Sequence, residues 1–139
     1  MTSWPVTSPE REVTAELIDT LVQLAGYPHP LFNPTTQQRA QGVTAPLMGQ
    51  GVLLLAGALA ERTGTLEDAV ALVGLQDVRF HRMVRAGARI RLVMDLRSTT
   101  PTGSGRRRSE YSWTVLDQDD AVVLNATAVL IREASTEEM

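Results

Sequence analysis

The chain has 139 residues, the length of one domain, and its 43% apolar and 21% charged residues are typical of a globular protein rather than a disordered one. Cysteine is absent, which excludes disulfides, thiolate metal sites and thiol catalysis. The net charge of −3 argues against a nucleic-acid-binding surface, and all 13 basic residues are arginine, which excludes lysine chemistry.

No targeting signal is evident in the sequence. The first ten residues lack the basic start and apolar run of a signal peptide. The longest apolar stretch, residues 52–60, is far shorter than the ~20 residues that span a bilayer. We predict a cytoplasmic protein without membrane association, in which residues 1–139 form one domain with a flexible leader (1–9) and tail (133–139).

Helices are predicted in the first half of the chain. Thr14 is a suitable N-cap for a helix whose apolar residues recur at helical spacing until Gly26. Three prolines within residues 27–34 predict an irregular segment. A short polar helix is expected over residues 35–41, closed by Gly42.

A longer helix is predicted over residues 49–63. It opens with Gly-Gln-Gly and is apolar nearly all round over residues 52–60. One side carries only small residues, which predicts a buried helix with close neighbours. The small residues are Ala56, Gly57, Ala58 and Ala60.

Strands are predicted for the second half. Apolar and polar residues alternate over 77–81, 89–97 and 110–115, and residues 121–131 are rich in β-branched side chains. Turns are expected at 85–87, 100–105 and 117–120. Helices followed by antiparallel strands indicate an α+β fold. A sheet wrapped around the one apolar helix, the single hotdog arrangement, would cover that helix.

Three segments carry a resemblance to a known family: Gly-Tyr-Pro-His-Pro-Leu-Phe at 26–32, Gly-Gln-Gly-Val-Leu at 49–53, and Val-Arg-Phe-His-Arg-Met-Val-Arg-Ala-Gly at 78–87. In their order and spacing they resemble the MaoC-like hotdog domains typified by (R)-specific enoyl-thioester hydratases. The resemblance implies an acyl thioester of coenzyme A or a carrier protein as ligand, no cofactor, and a homodimer or higher even oligomer.

The catalytic loop of that family reads Asp-x-Asn-Pro-x-His. With its proline matched to Pro30, Tyr27 stands at the aspartate, His29 at the asparagine and Phe32 at the histidine. The resemblance therefore implies that the acid–base pair has been replaced. Because a positioned acid or base contributes about 10²–10⁴ in rate, we do not expect standard hydration. Dehydration, isomerisation or cyclisation in lipid or polyketide metabolism remain open.

Two residues of this loop are candidate catalytic groups. His29 can exchange a proton near neutral pH, or it can be a turn residue bonded to the backbone. Tyr27 can donate a hydrogen bond to a carbonyl oxygen, or it can simply fill the pocket. A metal site is not expected in a chain with two histidines and no cysteine, and Asp119 and Asp120 are assigned to a hairpin turn.

Substrate-binding residues are expected at the start of the long helix. Free amides at a helix N-terminus can receive a thioester carbonyl, although a glycine turn needed only for packing is the alternative. The predicted substrate-binding residues are Phe32, Pro46, Gly49, Gln50 and Gly51.

Other polar and aromatic side chains receive simpler interpretations. The run Arg106, Arg107 and Arg108 is a candidate phosphate-binding site or a solvated loop end. We assign His81 to solvent or a dimer contact, and Tyr111 and Trp113 to the core or an interface.

Three functions remain open. The first is an enzyme of the hydratase or dehydratase kind that acts on acyl thioesters with non-standard residues. The second is a non-catalytic hotdog subunit that binds an acyl group or supports an active partner. The third is a thioesterase, which needs a carboxylate near the helix start, yet no acid lies between Asp19 and Glu61.

Overall fold

The computed structural model describes residues 2–134. The first predicted helix is confirmed as α1, Ala15–Ala25, with the Thr14 side chain accepting a hydrogen bond from the Leu17 amide and Gly26 in the left-handed region at φ 80°. The short polar helix is confirmed as α2, Thr36–Ala40, which begins with a capping box formed by Thr35 and Gln38.

The segment between α1 and α2 contains one element that the sequence analysis missed. Pro30–Phe32 forms a turn of 3₁₀-helix, so the expectation of irregular structure over residues 27–34 was wrong at this point. The turn is compatible with proline because the first residue of a helix needs no amide hydrogen. It places Phe32 on the same side of the loop as Tyr27.

The long helix is confirmed as α3, Gly49–Arg62. Its buried side is formed by Gly51, Val52, Ala56, Leu59 and Ala60. The opposite side is open: Leu54 is 61% exposed and Ala58 is exposed. The expectation of burial nearly all round was therefore wrong for the single chain, because the sheet covers α3 from one side only.

The sheet contains four long antiparallel strands: β3 Ala69–Phe80, β4 Arg89–Pro101, β5 Arg107–Leu116 and β6 Val122–Arg132. Their order across the sheet is β4-β5-β6-β3. The predicted alternation is confirmed over residues 90–94 of β4 and 109–115 of β5, where every second side chain is buried. Over residues 77–81 the predicted strand is present, but its alternation gives no buried face, since Val78 is half-buried and Phe80 is 50% exposed. The predicted α+β architecture is thereby confirmed. The buried side chains are Ile90, Leu92, Met94, Tyr111, Trp113 and Val115.

Two short strands precede α1, and the sequence does not signal them. β1, Val6–Thr7, and β2, Arg11–Glu12, both pair with β4. Ser8 between them is buried, and its Oγ accepts a hydrogen bond from the Leu92 amide at 2.9 Å. This part of the leader is therefore attached to the sheet, which corrects the expectation of flexibility there. Of the predicted flexible tail, residues 135–139 lie outside the described residues.

The strand β3 lies at one edge of the sheet and pairs only with β6 within residues 2–134. Its apolar side chains are unusually exposed, and a long apolar edge is a site at which another strand can pair. The exposed fractions are 43% for Val70, 51% for Leu72, 56% for Val73 and 36% for Leu75.

Within residues 2–134, every helix is too short or too polar to cross a membrane.

Candidate functional site

A mostly apolar pocket, which we call the α3 pocket, opens at the N-terminus of α3 and has a volume of about 310 Å³. It is formed by the proline-rich loop (residues 27–34), the segment before α3 (residues 46–48), the first turns of α3 and the end of β3. Three predicted substrate-binding residues, Phe32, Pro46 and Gly49, are among its lining residues. The full lining is Leu31, Phe32, Pro46, Leu47, Met48, Gly49, Val52, Phe80, His81, Arg82 and Met83.

The proline-rich loop meets the start of α3 through Tyr27. The Tyr27 hydroxyl donates a hydrogen bond to Oε1 of Gln50 at 3.3 Å, and its ring lies 5.2 Å from the ring of Phe32. The Asn33 side chain closes the loop from inside by donating to the carbonyl oxygens of Tyr27 and His29. Two residues at the matched catalytic positions thus form an aromatic pair beside the helix start.

The first turn of α3 has unused hydrogen-bond donors. Met48 is the N-cap, and its side chain makes no capping hydrogen bond. The amides of Gly51 and Val52 both donate to the Met48 carbonyl. The amides of Gly49 and Gln50 have no acceptor among residues 2–134, as expected for the first positions of a helix without a side-chain cap. Gly49 also lines the α3 pocket, so one of these two free donors belongs to a pocket residue.

The glycines at the helix start have different roles. A Cβ at Gly49 would lie 3.1 Å from the ring of Phe80, so glycine allows Phe80 to cover the helix start. A Cβ at Gly51 would lie 2.7 Å from Leu47 and 2.8 Å from Met48, both buried. Gly51 is itself buried and does not line the pocket, which favours the packing interpretation for this position.

One wall of the pocket was missed by the sequence analysis as a functional surface. Residues 82–85 run beside the segment that leads into α3, because the Leu47 amide donates to the Val84 carbonyl at 2.7 Å. This bridge brings Arg82 and Met83 to the pocket. The resemblance already included these residues, but only the bridge shows which segment they face.

His29 is placed elsewhere. It caps the 3₁₀ turn, with Nδ1 accepting a hydrogen bond from the Leu31 amide at 3.0 Å, and Nε2 therefore carries the proton of the neutral ring. Its exposed side chain borders a second concavity, the loop pocket, whose lining it shares with Leu31 and Arg85. The structure does not bring His29 into the lining of the α3 pocket.

His81 contributes to the wall of the α3 pocket but is engaged by a neighbour. Its Nε2 lies 3.1 Å from Oδ1 of Asn125, an exposed residue of β6. The side chain is exposed, in agreement with the solvated position expected for it. Tyr111 and Trp113, at 0% and 3% exposure, belong to the core as expected.

The arginine run lies at the start of β5 and does not line the α3 pocket. Arg106 pairs with Glu133 at 3.8 Å, Arg107 with Asp68 at 2.7 Å and Arg108 with Glu110 at 3.0 Å. All three guanidinium groups are thus already neutralised by carboxylates, which favours the structural interpretation of this run.

Asp68 organises the charges around Arg107. Its carboxylate also accepts hydrogen bonds from Arg132, which in turn donates to the Tyr111 hydroxyl at 2.9 Å. Burial by itself raises the pKa of Asp68, but the hydrogen bond and charge of Arg132 and the charge of Arg107 outweigh it, and the pKa lies below its ordinary value.

Among residues 2–134, no carboxylate lines the α3 pocket or the loop pocket. In the same described range, no cluster of three or more histidine, aspartate or glutamate side chains is placed to hold a metal ion. The chemistry that the α3 pocket offers is therefore an apolar cavity and a free helix amide. The Tyr27 hydroxyl, bonded to Gln50, lies at the same helix start but outside the pocket lining.

Solved structures share this architecture. A monoamine oxidase regulatory protein from Archaeoglobus fulgidus matches with a TM-score of 0.83 and 20% identity, over 97% of this chain and 92% of that chain. A MaoC-like dehydratase from Rhodospirillum rubrum matches with a TM-score of 0.79 and 16% identity, over 97% and 94%. The chain has the hotdog fold of the MaoC-like dehydratases.

A third similar structure is a (3R)-hydroxyacyl-ACP dehydratase complex from Mycobacterium tuberculosis, with a TM-score of 0.71 and 17% identity over 94% of this chain and 98% of that chain. No protein-family model matches the sequence, and no curated protein matches it either. The hotdog fold expected from the sequence is confirmed by these structural matches.

Proposed function

We propose that this protein binds acyl thioesters of coenzyme A or a carrier protein, with the acyl chain in the α3 pocket and the thioester carbonyl on the amide of Gly49. The observation that carries the proposal is the coincidence of an unused helix amide with the mouth of an apolar cavity. A carbonyl oxygen is stabilised by the positive end of the helix, and the acyl chain by removal from water.

The structural matches support the same ligand class. Two of the similar structures are named as dehydratases, one of them for hydroxyacyl groups carried by an acyl carrier protein, which are thioesters. The predicted substrate-binding residues Phe32, Pro46 and Gly49 share one pocket, whereas Gln50, bonded to Tyr27, lies in the same helix turn but outside the lining.

Binding is tested by calorimetric titration of the purified protein with butyryl- and octanoyl-coenzyme A. Gly49→Pro removes the amide hydrogen at the first helical position, where proline is compatible and where Met48, at ψ 150°, already has the conformation that precedes proline. Gly49→Ala is the matched control, because it adds the same Cβ beside Phe80 but keeps the amide.

We expect Gly49→Pro to weaken binding by about 3- to 10-fold relative to Gly49→Ala, the effect of one net hydrogen bond. Equal affinities of the two variants would show that the thioester carbonyl does not bind the Gly49 amide. Failure of the wild-type protein to bind either thioester would overturn the proposal as a whole.

Turnover of the bound thioester is a second candidate function, favoured by the position of the Tyr27 hydroxyl next to the helix start. There it can hold or transfer a proton of an enoyl or 3-hydroxyacyl thioester. If it does, Tyr27→Phe lowers the rate by about 10²-fold or more while binding is retained. The rate is followed by the absorbance of the enoyl thioester, and unchanged turnover would contradict a role for Tyr27.

A non-catalytic subunit is favoured instead by the pairing of Tyr27 with Phe32, since the phenylalanine ring cannot exchange a proton. Wild-type protein that binds thioesters tightly but converts none of them would support this alternative. A thioesterase receives no support from the pocket, because no carboxylate lines it among residues 2–134.

Self-association is proposed as well. The long apolar edge of β3 offers unpaired backbone groups to the β3 strand of a second copy, and antiparallel pairing of two identical edges gives a closed dimer. Light scattering at micromolar concentration is expected to give twice the 15.2 kDa chain mass or a higher even multiple. A 15.2 kDa species would contradict this. The cytoplasmic location stays a prediction.

A further inference from the structure

The two pockets at the start of α3 are bordered by arginines without carboxylate partners. Most arginines of the chain pair with acids, including Arg39, Arg89 and Arg91. Arg82 and Arg85 form no ion pair within residues 2–134, although the protein as a whole has a net charge of −3.

The backbone fixes where these two arginines lie. The Leu47–Val84 bridge holds the segment 82–85 against the chain that leads into α3. Arg82 lines the α3 pocket, and Arg85 lines the adjoining loop pocket, with Leu31 common to both. The Arg85 guanidinium is held by the Thr44 carbonyl, to which it donates at 3.1 Å.

We infer that Arg82 and Arg85 bind the phosphate end of a pantetheine thioester whose acyl end occupies the α3 pocket. The inference rests on the proposed function and adds the group by which the ligand is held. Both arginines are exposed, and no acid lines either pocket among residues 2–134, so their charges are available to an anion.

A phosphate fits this rim better than an uncharged group does, because the planar guanidinium group binds phosphate oxygens through paired N–H donors. The ligand also has the required polarity: its thioester enters the apolar pocket while its phosphate stays at the mouth. The run Arg106, Arg107 and Arg108 is already neutralised by Glu133, Asp68 and Glu110 and lines neither pocket.

The experiment compares octanoyl-coenzyme A with octanoyl-pantetheine, which has the same thioester but no phosphate. Calorimetry is performed on wild-type protein, R82Q, R85Q and the double variant. R62Q is the matched control, because Arg62 is an exposed arginine at the far end of α3 without an ion pair in residues 2–134. R82Q alone keeps the test valid if loss of the Arg85–Thr44 bond disturbs folding.

We expect wild-type protein and R62Q to bind octanoyl-coenzyme A about tenfold more tightly than octanoyl-pantetheine, the effect of one or two charge-assisted hydrogen bonds. The double variant should bind both ligands equally, and R82Q should lie between. High salt should weaken only the binding of the coenzyme A thioester. An octanoylated carrier protein is titrated in the same way. Its affinity relative to that of octanoyl-coenzyme A shows whether the arginines prefer the phosphodiester of a carrier protein or the phosphates of coenzyme A.

Equal binding of the two small thioesters by wild-type protein, or an R82Q/R85Q variant that keeps the preference, would overturn the phosphate site while leaving the acyl site intact. Absence of binding for both thioesters would overturn the proposed function and the phosphate site with it. The two failures are therefore distinguishable.

Discussion

The rings of Tyr27 and Phe32 lie 5.2 Å apart and are tilted by 60° to one another. The 3₁₀ turn over Pro30–Phe32 folds the chain so that these side chains, five positions apart, meet beside the first turn of α3. They stand at the positions where the resembling catalytic loop has its aspartate and histidine. An acid and a base at these two positions would therefore be adjacent to each other at the start of α3.

This geometry predicts a gain of function. The double variant Tyr27→Asp with Phe32→His should hydrate an enoyl-coenzyme A about 10²–10⁴-fold faster than the wild-type protein, the usual contribution of a positioned acid or base. The rate is measured by loss of enoyl absorbance, with each single variant as control. A double variant that folds and binds the thioester but is no faster than wild type would show that these positions do not suffice.

His29 is expected to matter for stability rather than for binding. His29→Ala removes the acceptor of the Leu31 amide and should lower the free energy of unfolding by about 0.5–1 kcal/mol, since the cap is exposed. His29→Asn keeps a capping acceptor and should retain most of that free energy. Urea denaturation measures both. A large loss of thioester affinity in His29→Ala would instead show that His29 takes part in ligand binding.

The Asp68 cluster predicts a loss of stability in acid. Because the folded-state pKa of Asp68 lies below its ordinary value, its carboxylate stabilises the fold above about pH 4, and this contribution is lost as the pH falls through the folded-state pKa. Asp68→Asn should destabilise the protein by about 1–3 kcal/mol at neutral pH and flatten the acid limb of the stability curve.

The control for Asp68 is Asp19→Asn, which removes the exposed ion pair of Asp19 with Arg39. Its effect should stay below about 1 kcal/mol. Denaturant titrations at several pH values measure both variants. An acid limb as steep in Asp68→Asn as in the wild type would assign the pH dependence to other carboxyl groups.

Two glycines of α3 should respond in opposite directions to alanine. Gly51→Ala forces a methyl group against buried Leu47 and Met48 and should destabilise the fold by about 1–3 kcal/mol. Gly57→Ala meets only Trp113 at 3.9 Å, an ordinary contact, and should stabilise the helix by up to about 1 kcal/mol. Thermal unfolding compares them, and equal effects would mean that packing does not explain Gly51.

Local signals in the sequence predicted most of the fold. The cap at Thr14, the stop at Gly26 and the alternation along β4 and β5 are set by neighbouring residues, and the structure has them where they were expected. β1 and β2 were missed because two-residue strands have no periodicity. Their pairing depends on β4, which lies more than seventy residues further along the chain.

The site was predicted only in part, because some of its residues are positioned by long-range contacts rather than by local signals. Phe32 and Gly49 could be placed together because the resemblance brings the loop to the helix start. Arg82 could not, since its position depends on the Leu47–Val84 bridge, a single long-range contact without a sequence signature. The role of His29 also depends on the 3₁₀ turn over Pro30–Phe32, which was not predicted because the three prolines nearby indicated irregular structure.

The attachment of β1 and β2 to β4 has a consequence for how many chains can join. Within residues 2–134 the protein's own first dozen residues pair with the first part of the β4 border, residues 89–94, so the β3 border is the one that is unpaired along its whole length. A neighbouring strand that needs a full-length border therefore finds it on one side of the sheet, which favours addition of a single neighbour over repeated addition into fibres.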